Sequence, residues 1–270
     1  MRLINRHPGR ASATLLGLLP FLLIMLIYSL ASQERLAENP NDKLLPGLEQ
    51  MTAAVDRMAF KPDRRSGDYL MWQDTTASLE RLAVGVGIAA SLALVVGILN
   101  GVLPLARANL APLVSALSMV PPLAILPILF IVFGLGELSK VMLIVIGTAP
   151  IMMRDVAQRV RELPGEQRIK IQTLGANSWQ VITRMALPQV LPRLIDAVRL
   201  SLGPAWLFLI AAEAIASTEG LGYRIFLVRR YLAMDVILPY VAWITFLAFA
   251  IDFALARYSR WRYPWFHQAG

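Results

Sequence analysis

The sequence predicts an all-α integral membrane protein with six transmembrane helices. Three observations carry this. Of its 270 residues 57% are hydrophobic and only 16% charged, against about 25% charged in soluble domains. Three long stretches hold no charge at all: between Arg10 and Glu34, between Arg81 and Arg107, and between Arg107 and Glu137. A bilayer core needs about 20 apolar residues of helix, and each stretch meets that. Finally, Lys and Arg gather on one set of alternating connections.

Composition also excludes chemistry. Cysteine is absent, which removes disulfides, thiolate metal sites and thiol nucleophiles. The two histidines, His7 and His267, lie in the termini, so no interior histidine relay or metal site is expected. The net charge of +8 would suggest nucleic acid in a soluble chain. Here membrane topology accounts for it, and no nucleic-acid partner is expected.

The elements follow in order. Residues 1–33 form an N-terminal tail and a first helix, with Leu15–Leu30 almost entirely apolar. Arg2, Arg6 and Arg10, with Ser29-Leu30-Ala31 beyond, loosely fit a signal peptide. The apolar run exceeds the roughly 7–15 residues of a signal core, so an uncleaved anchor is expected. Residues 34–78 form a polar extracytoplasmic connection. Within it Leu48, Met51, Val55 and Met58 recur at helical spacing, which predicts a short interfacial helix over Leu48–Phe60. Residues 61–68 read equally well as a solvated linker, and Tyr69 and Trp72 suit the water boundary.

Residues 79–260 form the core of five further helices. The third span of the chain carries Pro112, Pro121, Pro122 and Pro127. Proline removes a backbone donor and kinks helices. In a membrane the freed carbonyls need neighbouring helices or a water-lined cavity. Pro121 and Pro122 are therefore candidates for a solute pathway, the plainer alternative being a kinked packing helix. Val141–Met153 is clean but short, with Lys140 snorkelling at its edge. Leu194–Ala216 carries Asp196, Arg199 and Glu213, and Val236–Ile251 lies between Asp235 and Asp252.

An ionisable residue inside a span is a functional candidate by default. Glu213 therefore either meets a solute or is a structural group bonded to a neighbouring helix. Asp196 and Arg199, three apart, read as a pair or as a gate. Gly220 and Gly222 suggest a turn whose neighbours Arg224, Arg229 and Arg230 touch a partner or form a wet rim. Trp261, Tyr263 and Trp265 open the 261–270 tail as an aromatic belt.

Arg107, the 154–193 stretch and both termini fall on the same face when six spans are counted. The 154–193 stretch alone holds Arg154, Arg159, Arg161, Arg168, Lys170, Arg184 and Arg193. The positive-inside rule makes this face cytoplasmic, with both termini inside. That stretch is far longer than a helix connection needs. A helix runs towards Gly175, which suits a left-handed cap. A second helix starts at Asn177 or Ser178, both good N-caps, and Leu187-Pro188 ends it. Such an exposed helix–turn–helix bearing Trp179 and Ile182 is a docking surface by default. The chain shows no phosphate-binding lysine loop and no catalytic constellation, so it is not expected to be an enzyme.

The spacing of Gly175 to Met185-Ala186-Leu187-Pro188 resembles the cytoplasmic signature of permease subunits of binding-protein-dependent ATP-binding-cassette importers. That signature reads Glu-Ala-Ala, three residues, Gly, nine residues, Ile-x-Leu-Pro. Gly175, Leu187 and Pro188 match and Met185 replaces the Ile, while Ile169, Lys170 and Ile171 depart from Glu-Ala-Ala. Leu45-Pro46, Val120–Ala124, Phe133–Glu137, Ala211-Ala212-Glu213 and Gly220–Tyr223 look like the nitrate/taurine/sulfonate branch. Leu200–Tyr240 also resembles permeases encoded beside urea carboxylases, now regarded as guanidine-degrading enzymes.

The resemblance implies a type I importer fold with a cytoplasmic coupling helix. Ile169, Lys170, Thr173, Leu174, Gly175, Ala176, Trp179, Leu187 and Pro188 would couple to an ATPase. The implied partners are a second, identical permease subunit, a cytoplasmic ATPase dimer that carries ATP and Mg, an external solute-binding protein and membrane lipid. No cofactor or metal is expected on this chain. The implied location is a bacterial inner membrane, and the solute class is either nitrate/sulfonate/taurine-like or urea/guanidine-like. The competing reading is a stand-alone channel or ion-coupled carrier. A carrier would show inverted repeats, and it leaves the long cytoplasmic loop without a purpose.

Overall fold

A computed structural model describes residues 9–39, 42–64 and 67–267. Its elements are α1 (Arg10–Glu38), α2 (Leu48–Val55), α3 (Leu70–Val102), α4 (Pro104–Leu117), α5 (Leu126–Phe133), α6 (Glu137–Arg161), α7 (Gly165–Thr173), α8 (Ser178–Gln180), α9 (Leu187–Ala216), α10 (Leu221–Arg229), α11 (Met234–Arg262) and α12 (Pro264–His267). Among the described residues five helices are long and apolar enough to cross a bilayer. A bent pair supplies the sixth span when counted as one. The chain divides into two compact units, Met1–Tyr69 with Val228–Tyr240, and Leu70–Leu227 with Val241–Gly270.

In the first unit α1 presents apolar side chains on all sides, Phe21 and Leu22 among them, as a lipid-facing helix does. Its C-terminal half holds the following loop. Tyr28 donates to the Pro46 carbonyl at 2.8 Å and Ser32 to the Leu45 carbonyl at 2.9 Å. Asp42 accepts the Leu44 N–H and pairs with Arg35, which together hold its carboxyl below the usual range. The expected helix at Leu48–Phe60 is present, and its last turn, Asp56–Phe60, is a wider π turn.

The second unit is built on α3, α6 and α9. Small residues recur along α3 every fourth position, at Gly85, Ala89, Ala93, Gly97 and Gly101. Such a stripe lets helix backbones approach closely where no hydrophobic drive exists between them. Against it lie Ile144, Val156 and Val160 of α6. A Cβ on Gly97 would stand 2.7 Å from the Val156 Cβ. Gly97→Ala therefore forces the pair apart and should destabilise the unit by about 1–3 kcal/mol. Unfolding of the detergent-purified chain measures this, and Val156→Ala in the same chain should restore much of the loss.

Two sequence expectations are corrected. The stretch between Arg107 and Glu137 is not one kinked helix: α4 and the segment Pro122–Phe133 are bent by 81°. Consecutive prolines remove two backbone donors and push the residue before each away from helical geometry. Pro121 is accordingly extended, at φ −66° and ψ 114°. Gly134, at φ +77°, then ends α5.

The second correction concerns Leu187-Pro188, which do not end a helix. Ser178–Ala216 runs as 39 continuous helical residues. A π turn at Val181–Ala186, in which the Leu187 N–H reaches back to the Ile182 carbonyl, precedes the proline. This wider turn shifts the carbonyls that the Pro188 ring would otherwise meet, so the helix passes through.

Candidate functional site

Two places in the second unit hold the residues that the sequence singled out for coupling and for charge within a span. The first is the Gly165–Ala186 knob. Pro164 precedes α7, and Glu166 in its first turn suits the positive end of the helix. The helix closes in a paired cap. The Gly175 N–H donates to the Gln172 carbonyl at 2.9 Å and the Ala176 N–H to the Ile171 carbonyl at 3.2 Å. That geometry requires a left-handed residue at the turn, and Gly175 sits at φ +82°.

The next helix begins at once. The Asn177 side chain accepts the Gln180 N–H and the Gln180 side chain accepts the Asn177 N–H, both at 2.9 Å. This is a reciprocal capping box. Val181, Met185 and Ala186 anchor the far face in the bundle, while Ile169, Leu174 and Trp179 stay exposed at 62%, 79% and 69%. Exposed apolar groups grouped on one rigid feature mark an interaction surface. Gln189 of α9 donates to Gln167 of α7 at 3.1 Å and straps the knob to the span. Ile169, Lys170, Thr173, Leu174, Gly175, Ala176 and Trp179 thus share one helix–turn–helix, whereas Leu187 and Pro188 belong to α9.

The second place is a charged cluster around Glu213. Asp74, Ser78 and Arg81 lie on one face of α3, at helical spacing. Glu213 is fully buried, and Arg81 is 5% exposed. Arg81 donates to Glu213 at 2.8 Å and to Glu137 at 2.9 Å, with a second contact between Arg81 and Glu137. Ser78 and the Gly222 N–H complete the Glu213 carboxylate, each at 2.8 Å. Asp74 accepts the Gly220 N–H at 2.9 Å and pairs with Arg224 at 2.7 Å. Lys140 is not snorkelling: it is 3% exposed and reaches Glu137 at 2.7 Å.

Among the described residues three cations thus face the carboxylates of Asp74, Glu137 and Glu213 at salt-bridge distance. Buried charges persist only when paired and hydrogen-bonded in this way. The Gly220 turn, at φ +122°, folds directly over Glu213, where a Cβ would lie 2.5 Å from the carboxyl carbon. Arg224 is therefore no wet rim but the partner of a buried acid. Pro121 and Pro122 form the α4–α5 break and contribute nothing to this cluster.

Asp74, Ser78 and Arg81 were missed by reading Arg81 only as the edge of an uncharged run. Their spacing at i, i+4 and i+7 was the available signal. The Asp196–Arg199 pair is present at 3.4 Å, but the main partner of Arg199 is Asp252 of α11, at 2.8 and 3.1 Å.

Residues 85–264 match the family described as binding-protein-dependent transport system inner membrane component. The chain is 37% identical over 202 residues to the taurine transport system permease protein TauC of Escherichia coli K12, covering 73% of this chain and 72% of that protein. It is 30% identical over 254 residues to the bicarbonate transport system permease protein CmpB of Synechococcus elongatus, covering 92% and 87%. It is 34% identical over 154 residues to the putative aliphatic sulfonates transport permease protein SsuC of Bacillus subtilis, covering 57% and 56%. A solved structure of the MetNI methionine ABC transporter in an inward-facing conformation shares the fold. Its TM-score is 0.63 at 22% identity, over 73% of this chain and 98% of that one.

Proposed function

This chain belongs to the binding-protein-dependent transport inner-membrane component family, and from that premise we propose how it couples and what it carries. It is a permease subunit of an ABC importer, a multi-pass membrane component whose family works with an ATPase and a binding protein. The Gly165–Ala186 knob seats in a groove of the cytoplasmic ATPase, which holds ATP and Mg. Ile169, Leu174 and Trp179 fill that groove, with Lys170, Thr173, Gly175 and Ala176 shaping the turn. Leu187 and Pro188 link this surface to the fifth span. Both termini are cytoplasmic, and a second, identical copy completes the pathway beside the Pro121-Pro122 break.

The observation that carries this reading is the doubly capped knob, whose apolar side chains Ile169, Leu174 and Trp179 stay exposed among the described residues. Its test is co-purification. Trp179→Ala should lower retention of the partner ATPase at least tenfold and leave the amount of inserted chain unchanged. Wild-type retention would remove the knob from the interface.

We further propose that the solute carries a small charged oxygen group, as taurine, sulfonates and bicarbonate do. The names of the similar permeases support this. Uptake into proteoliposomes holding the complete transporter, with its binding protein, should favour these solutes over guanidine and urea. The opposite preference would replace this solute class. Glu213 is assigned to holding α3, α9 and the Gly220 turn together and not to touching solute, because both of its oxygens are taken by groups of the chain itself.

A further inference from the structure

At the end of the second unit opposite the Glu213 cluster, α3, α4 and α6 enclose a cleft of about 180 Å³. Asn100, Arg107, Ser115, Arg154, Gln158 and Arg161 line it. Arginine is always charged, and its planar fork matches the oxygens of sulfate and phosphate. Arg107, Arg154 and Arg161 all line this cleft, and no carboxylate among the described residues pairs with any of them. The nearby acids are engaged elsewhere. Asp155 and Glu162 both pair with Arg159, at 3.5 and 3.1 Å, and Glu162 also takes the Gln158 amide at 3.0 Å. Arg107 donates to the Asn100 and Gly101 carbonyls at the end of α3, at 3.0 and 2.8 Å. Arg154 donates to the Ser118 hydroxyl at 2.9 Å. These neutral acceptors position the guanidiniums without cancelling their charge.

A second, independent observation concerns one residue of the cleft lining. Asn100 is 3% exposed, and its side-chain oxygen has no hydrogen-bond partner among the described residues. A buried amide oxygen left unsatisfied is destabilising, because its lost hydration is not replaced. The positive-inside rule explains arginines at this end of the bundle. It does not explain why they surround a buried amide that lacks a partner. The unpartnered atom is an acceptor, so it takes the hydroxyl of a protonated oxyanion or headgroup, or a hydrating water, while the guanidiniums take the anion's oxygens.

We propose that this cleft binds an oxyanion of the sulfate or phosphate class, supplied either free in solution or as the phosphodiester headgroup of an anionic lipid. The inference stands on these residues alone and is independent of the coupling role of the knob. The test uses the full chain in two arms. In phosphatidylcholine nanodiscs, equilibrium dialysis against radiolabelled sulfate reads the free anion. In mixed phosphatidylcholine and phosphatidylglycerol discs, native mass spectrometry reads retained anionic lipid.

Arg154→Gln with Arg161→Gln should weaken binding at least tenfold in whichever arm the wild type binds. Asn100→Asp keeps the shape of the amide while placing the site's own carboxylate among the arginines, and should abolish binding. It also serves if the arginine variant fails to insert. Loss in the sulfate arm assigns a free oxyanion, and loss in the lipid arm assigns a headgroup. A wild type that matches Asn100→Asp in both arms overturns the proposal.

Discussion

Replacing Arg81 with methionine should destabilise the second unit by about 3–5 kcal/mol, the range found when one partner of a buried ion pair is removed. The methionine fills most of the space but leaves Glu213 fully buried with only the Ser78 hydroxyl and the Gly222 N–H as donors. Glu137, much more exposed at 61%, can turn to water and keep Lys140. The damage therefore falls on Glu213 and on the Gly220 turn folded over it. Unfolding of the purified chain reads the loss. Glu213→Gln in the same chain removes the orphaned charge and should recover a large part of it. If the single Arg81 variant unfolds like wild type, the cluster does not hold these helices together.

The second large effect is on transport. Gly175→Val should reduce solute uptake at least tenfold while leaving insertion and bundle unfolding unchanged. A Cβ at Gly175 meets nothing within 4 Å, so the penalty is not a clash with a neighbour. It comes from φ +82°, where a β-branched residue is strained by about 1–3 kcal/mol. Relief requires breaking the Gly175 and Ala176 hydrogen bonds that close α7, which turns α7 away from the capping box at Asn177. Gly175→Asn, which tolerates the left-handed region, should keep most of the uptake. Equal ATPase retention by the valine variant and the wild type would place docking elsewhere on the chain.

Much of this was legible in the sequence because it is local. The uncharged runs mark where helices cross, and Gly175 followed by Asn177 announces a stop and a start within three residues. The prolines at 121 and 122 announced a defect, but the 81° bend depends on how α4 and α5 each pack. Pro188 misled for a related reason. Proline ends a helix when the preceding carbonyls hold α-helical positions, and the π turn at Val181–Ala186 removes that condition. The Glu213 cluster was the least legible part. Arg81 meets its partners across separations of 56 and 132 residues, and no local pattern on α9 names α3 as its neighbour.

Those separations also set a timetable for biogenesis. Arg81 leaves the ribosome with no acid to meet it from the later helices. At roughly 5–20 residues per second, Glu137 follows after about 3–11 s and Glu213 only after about 7–26 s. Until α6 arrives, Arg81 lacks the acid that α6 brings to it in the finished bundle. Glu137 is then the first partner, and it stays paired when α9 brings the second. A helix synthesised late therefore does more than extend the bundle: α9 completes the neutralisation of an arginine made 132 residues earlier.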